Sequence, residues 1–197
     1  MSHPPSFLRD ILCRRFELSH AEATTYLNAF HRHEFDADQV FVQAGSICHH
    51  LGIIEEGLMK CTFVSHDKEV IHEFLAEGSF ATSYASFLTE MPSSKRLVCL
   101  EPTVVWVANR QDLIKLVQDH PFVQRMTDRV NRQLFLLLHE QLRSVRLDSA
   151  EQRYLALLEH RPDLAQRIPQ YLLASYLHVT PETLSRIRRN LQAAARS

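Results

Sequence analysis

The spacing of hydrophobic positions changes twice along the chain. Residues 6–33 carry a helical pattern. Ala23, Tyr26, Leu27 and Phe30 recur at spacings of three and four, behind a Ser19-x-x-Glu22 capping box. From Gln39 the apolar residues come in short runs, at 40–42, 51–54, 58–64, 70–75, 97–100 and 104–107. Turn signals separate them: Ala44-Gly45-Ser46, Glu56-Gly57, His66-Asp67, Glu77-Gly78 and Glu101-Pro102. All four glycines fall between residues 45 and 78, inside this window. Short strands at such intervals predict an antiparallel sandwich or small barrel.

Helical spacing returns after Asn109. Residues 111–119 predict one helix, ended by Pro121, and residues 122–147 hold neither Gly nor Pro. In that long segment Val123, Val130, Leu134 and Leu137 follow a heptad-like spacing, while Phe135, Leu136, Leu138 and Leu142 form a second apolar face. A helix apolar on two sides must be covered on two sides: one by the barrel and the other most economically by the same helix of a second chain, the alternative being a helix buried inside a single domain. The expected seam of that homodimer is Val123, Val130, Leu134 and Leu137.

Composition excludes several classes. The chain has 197 residues, 45% hydrophobic and 23% charged, which is the balance of a folded globular protein with a real core. No apolar run approaches the 18 or so residues of a membrane span, and the sequence opens without a basic and then apolar leader, so the expected location is the cytoplasm. The cysteines (Cys13, Cys48, Cys61 and Cys99) form no C-x-x-C pair, so reduced and mostly buried thiols are expected, without a zinc or iron–sulfur site. The histidine groups His31-x-His33-Glu34, His49-His50, and His66 with His72 do not make a cupin-like metal set, and no nucleophile elbow or phosphate-cradling glycine loop is present. No metal, no cofactor and no catalytic residue are assigned. The 12 histidines offer axial candidates for haem, but none is singled out.

Charge divides the chain. Residues 1–124 hold 10 basic and 16 acidic residues, whereas residues 125–197 hold 12, all arginine, against 7. Arginine forks onto phosphate or guanine without losing its charge, so the C-terminal part is suited to nucleic acid. Within it, Pro169 starts a helix that runs through Gln170–Leu177, and His178-Val179 breaks it. Thr180 then serves as N-cap and Pro181 as first helical residue of a second helix. Ala174 is small where the helices would cross, and Leu173, Leu177, Val179, Leu184 and Ile187 supply a shared core. His178 occupies the turn position that glycine usually holds, in a conformation histidine enters more readily than most residues. Glu182, Ser185, Arg186 and Arg189 fall on one polar face of the second helix. This is the pattern of a helix-turn-helix, in which Arg186 can fork onto guanine and Glu182 can accept from cytosine. The plain alternative for that pair is a Glu182–Arg186 surface ion pair.

Taken together, the order of elements resembles the Crp–Fnr superfamily of bacterial transcription regulators. The resemblance rests on Ala44-Gly45, residues 51–60 (LGIIEEGLMK), residues 74–80 (FLAEGSF), residues 168–177 (IPQYLLASYL) and residues 180–189 (TPETLSRIRR). It implies an α+β fold: an N-terminal antiparallel β-barrel or jelly roll with flanking helices (residues 1–120), a long dimerisation helix (121–147), and a C-terminal helix-turn-helix DNA-binding domain (148–197). It further implies a homodimer on a palindromic double-stranded DNA site, with half-sites roughly 34–36 Å apart, RNA polymerase as a further partner and an effector of unknown identity. Glu182, Ser185 and Arg186 match the family's base-reading set. Thr180, Thr183, Arg188 and Arg189 are the phosphate-contacting candidates, with Arg167 and Arg196 beside them. No room for a hairpin wing is expected after Leu191.

Members that bind cyclic nucleotide resemble one another in a Gly-Glu pair and an Arg-Ser/Thr pair. Here those pairs fall at Gly78-Ser79 and Ser93-Ser94, so both charged ligands are missing and cyclic AMP is not the expected effector. Lys95 and Arg96 are the nearby cations, on opposite faces of a strand. The alternative to a DNA-reading regulator is a ligand- or protein-binding module with the same barrel, whose helix pair no longer reads DNA.

Overall fold

The computed structural model describes residues 3–65 and 68–194. The turn expected at His66-Asp67 and the side chain of Arg196 lie outside these residues. Two compact units are present, Met1–Glu69 with Glu73–Phe135, and Val70–His72 with Leu136–Ser197.

The first unit opens with α1 (Ser6–Phe16) and α2 (His20–Leu27). The single helical pattern read over residues 6–33 is therefore two helices and the start of a strand. Glu17 breaks the run with a left-handed φ of 53°, and Ser19 caps α2 through the reciprocal box with Glu22. His31 and His33 belong to β1 (His31–Phe35), an edge strand with mostly exposed side chains. Seven more strands follow: β2 (Val40–Val42), β3 (His50–Glu56), β4 (Met59–Ser65), β5 (Lys68–Leu75), β6 (Phe80–Ala81), β7 (Lys95–Cys99) and β8 (Thr103–Asn109). A short helix, α3 (Tyr84–Thr89), sits between β6 and β7, and α4 (Arg110–Asp119) follows β8.

The strands form two four-stranded sheets, ordered β1-β8-β3-β6 and β2-β7-β4-β5, with antiparallel pairing at β1–β8, β8–β3, β3–β6, β2–β7 and β7–β4. This is a jelly-roll arrangement. Period-two alternation gives the first sheet two apolar faces. Ile54 and Val105, paired across β3 and β8, point between the sheets with Phe41, Met59, Cys61, Leu97 and Cys99. Their neighbours Ile53 and Trp106 point the other way, onto Leu8, Leu12, Phe16 and the start of α5 (Pro121–Leu147). The Trp106 indole donates to Glu55 Oε2 at 2.5 Å, so its polar edge is satisfied. Gly57 turns β3 into β4 at φ 106°, where a Cβ would stand 2.5 Å from Thr103 Oγ1.

Beyond α5, the second unit contains α6 (Ala150–His160), α7 (Pro162–Arg167), α8 (Gln170–Tyr176) and α9 (Pro181–Ala194). Its core is Tyr154, Leu164, Ile168, Leu172, Leu173, Ala174, Leu177, Leu184 and Ile187, all buried. No helix among the described residues is long and apolar enough to cross a membrane.

Candidate nucleic-acid interface and effector region

The α8–α9 pair is joined by a turn whose geometry follows from its sequence. Leu177 closes α8, and His178 adopts φ 57°. The His178 N–H donates to Ser175 O and the Val179 N–H to Ala174 O, each at 3.0 Å. These two bonds are a Schellman motif, which satisfies the helix's last carbonyls only if the intervening residue is left-handed. Thr180 then caps α9, its Oγ1 accepting from the Thr183 N–H at 3.3 Å, with Pro181 at the first helical position. Leu173, Leu177 and Leu184 are fully buried beneath, so the opposite face of α9 is fixed outward.

On that outward face Glu182, Arg186 and Arg189 are exposed and Ser185 half-buried, at helical spacings of three and four. Among the described residues no ion pair joins Glu182 to Arg186. The Glu182 carboxylate instead accepts from its own backbone N–H and from the Thr180 hydroxyl, which together hold it below the usual carboxylate range. Thr180 is exposed and Thr183 half-buried, and their hydroxyls lie 3.2 Å apart.

Arg188 is placed differently from the expectation. It is half-buried, its Nε donates to the Tyr154 hydroxyl at 2.9 Å, and its guanidinium lies over the Tyr154 ring at 5.5 Å. This contact packs α9 against α6, and Arg189 is the more exposed of the two arginines. The signal that sequence reasoning missed is on α6. Ser149 and Gln152 form a capping box, which starts the helix so that Arg153 and Tyr154 face α8 and α9.

The long helix also departs from the expected seam. Val123 is buried in the first unit and so is not open to a second chain, and half-buried Val130 packs against the same core. Leu134 is half-buried and Leu137 exposed. The open apolar stripe is Phe135, Leu138, Leu142 and Val145, at steps of three, four and three.

In the effector region, Gly78 and Ser79 form the β5–β6 turn and are bonded to β3: the Gly78 N–H donates to Ile54 O, and the Ile54 N–H to Ser79 O. Ser93 is buried, with Oγ 2.7 Å from Ser83 Oγ and 2.8 Å from Lys95 O, and its Oγ accepts from the Lys95 N–H. Ser94 is exposed, and its carbonyl accepts from the Val64 N–H. Both nearby cations already face carboxylates. Lys95 Nζ is 3.9 Å from Glu73 Oε1 and Arg96 Nη1 is 3.1 Å from Glu69 Oε1. A surface groove of about 350 Å³ lies elsewhere, lined by Thr25, Asn28, His31, Asp112, Lys115 and Asp119. Among the described residues no group of three or more His, Cys, Asp or Glu is placed to hold a metal ion.

A jelly roll, a long helix and the α8–α9 pair follow one another along the chain. Residues 32–120 match the family described as cyclic nucleotide-binding domain. Among solved structures, the chain is similar to the catabolite activator protein of Thermus thermophilus, at 19% identity over 90% of this chain and 85% of that one, with a TM-score of 0.58. It is similar to the c-di-GMP responsive global regulator CLP of Xanthomonas campestris, at 18% identity over 90% and 93%, TM-score 0.70. FixK2 of Bradyrhizobium japonicum gives 16% identity over 84% and 86%, TM-score 0.67. No curated protein sequence matches. The chain shares the fold of these structures.

Proposed function

We propose that this chain is a bacterial sequence-specific DNA-binding transcription regulator of the Crp–Fnr type, which binds a two-fold symmetric site as a homodimer and engages RNA polymerase from there. The observation that carries the reading is the outward face of α9. Arg186 is exposed and held on a helix whose other side is locked by a buried core and a Schellman turn. In this reading Glu182, Ser185 and Arg186 meet base edges, while Thr180, Thr183 and Arg189 meet phosphates.

Cyclic AMP is not the effector in this reading. The Gly78-Ser79 and Ser93-Ser94 positions bring no cation, and Lys95 and Arg96 are paired with carboxylates of the same domain. A cyclic phosphate placed there would lack a charged partner. Saturating cyclic AMP is expected to leave the unfolding temperature unchanged, since only a ligand that binds the folded state raises it.

The test is selection of duplexes from a random pool with wild type and Arg186→Ala. A symmetric consensus enriched by the wild type is expected, and Arg186→Ala should lose about 1–3 kcal/mol on it and relax one base pair per half-site. Arg189→Ala should weaken all duplexes alike and reduce the salt dependence. No binding of any duplex at low salt refutes the reading. Equal losses on specific and random DNA for both variants refute the division of roles.

A further inference from the structure

The Arg153 guanidinium on α6 reaches two backbone carbonyls that are 29 residues apart in sequence and belong to different parts of the second unit. Its Nη1 donates to Asp148 O at 2.6 Å, at the elbow between α5 and α6. Its Nη2 donates to Leu177 O at 2.8 Å, at the end of α8. The third nitrogen, Nε, is buried and makes no hydrogen bond among the described residues. A half-buried guanidinium that leaves one donor unsatisfied is held by strong demands on the other two.

Each end of this bridge has its own anchor. At the elbow, the Asp148 side chain is gripped bidentately by Arg143 of α5, with Nη1–Oδ1 at 3.1 Å and Nη2–Oδ2 at 3.0 Å, and the Asp148 N–H donates to Ser144 O. At the other end, Leu177 O belongs to the peptide that leads into His178, the left-handed residue of the turn. The Schellman bonds satisfy Ala174 O and Ser175 O, and Arg153 satisfies Leu177 O. The orientation of that peptide fixes where α9 starts.

We propose that Arg153 is a positioning residue for the reading helix, tying the end of α5 to the turn that aims α9. The role requires a planar fork, because one side chain must present separate N–H groups to two carbonyls that differ in direction. Lysine concentrates its donors on one atom and cannot reproduce that geometry. A displacement of the α5–α6 elbow is thereby delivered to the His178 turn through two hydrogen bonds, without passing through the apolar core.

The inference rests on the DNA-reading function for its consequence, and its structural half is testable without DNA. Amide hydrogen exchange is measured residue by residue on full-length wild type, Arg153→Lys and Arg153→Gln. Loss of one charge-assisted hydrogen bond should speed exchange at His178 and Val179 by about ten-fold or more, with Leu184 and the α6 interior unchanged. Arg153→Lys keeps the charge and most of the packing, so it reports the fork even if Arg153→Gln unfolds the unit. Unchanged protection at His178 and Val179 in Arg153→Lys overturns the proposal, and so does a uniform loss across α6–α9. On DNA, the expected signature is a drop in the ratio of specific to random affinity with the salt slope retained. A wild type that binds no DNA while the exchange result holds refutes the regulator reading and leaves the bridge standing.

Discussion

The exposed stripe on α5 permits a quantitative expectation. Leu138 and Leu142 retain 53% and 54% of their surface exposed in the single chain, four residues apart on one face. Fully burying a leucine contributes about 1.5–3 kcal/mol, so covering the half that remains open contributes about 1 kcal/mol per side chain. A two-fold interface uses each residue twice. Leu138→Ala/Leu142→Ala therefore removes about 4 kcal/mol from association, close to a thousand-fold in the dimer Kd. Alanine is the best helix former and both positions face outward, so α5 itself should survive, which far-UV circular dichroism checks. Sedimentation equilibrium across a concentration series gives the two dissociation constants directly. A double variant whose Kd lies within about three-fold of wild type refutes the assignment of this stripe, because the area argument requires a far larger change. A wild type that stays monomeric at the highest concentration refutes the homodimer.

Two further expectations follow from backbone and burial. His178 at φ 57° is strained for a residue with a Cβ, so His178→Gly should lie within about 1 kcal/mol of wild type while the β-branched His178→Val loses about 2 kcal/mol in urea unfolding; equal midpoints would contradict the left-handed turn. Burial pushes the His50 imidazole below its ordinary value, against the opposing effect of its bond to Phe41 O. The folded state then binds fewer protons than the unfolded one between the two values, so stability is full above the ordinary histidine range and falls as pH drops through about 6.5. His50→Gln should flatten that part of the wild-type stability profile, and an unchanged slope would assign it to other histidines.

The legibility of this fold from its sequence depended on how local each determinant is. Ser19 and Glu22, or Thr180 and Pro181, act within one helical turn, and the structure shows both caps where the residues stand. The α8–α9 pair was readable because Leu173, Leu177, Leu184 and Ile187 must be apolar at fixed spacing. β1 was not readable. His31–Phe35 is an edge strand with side chains mostly in solvent, so it carries neither alternation nor an apolar run. Nor could periodicity say which of two apolar faces of α5 meets the protein's own core, since Val123 is buried by α1, α2 and β8 residues that lie far away in sequence. The contact of Arg188 was hidden for the same reason. Its partner, Tyr154, is 34 residues distant and leaves no trace near it.

The three thiols inside the jelly roll give this domain a built-in clock. Cys48, Cys61 and Cys99 are buried and so closed to reagents while the sheets are closed, and burial further pushes the Cys61 thiol up to about 12 and Cys99 in the same direction. A thiol reagent therefore labels them only during an opening of the barrel, whereas half-exposed Cys13 is reached earlier. Labelling that is fast compared with reclosure counts each opening once; labelling that is slow reports the fraction of time spent open. The domain thus records the frequency of its own excursions in covalent form, with no probe added to the chain.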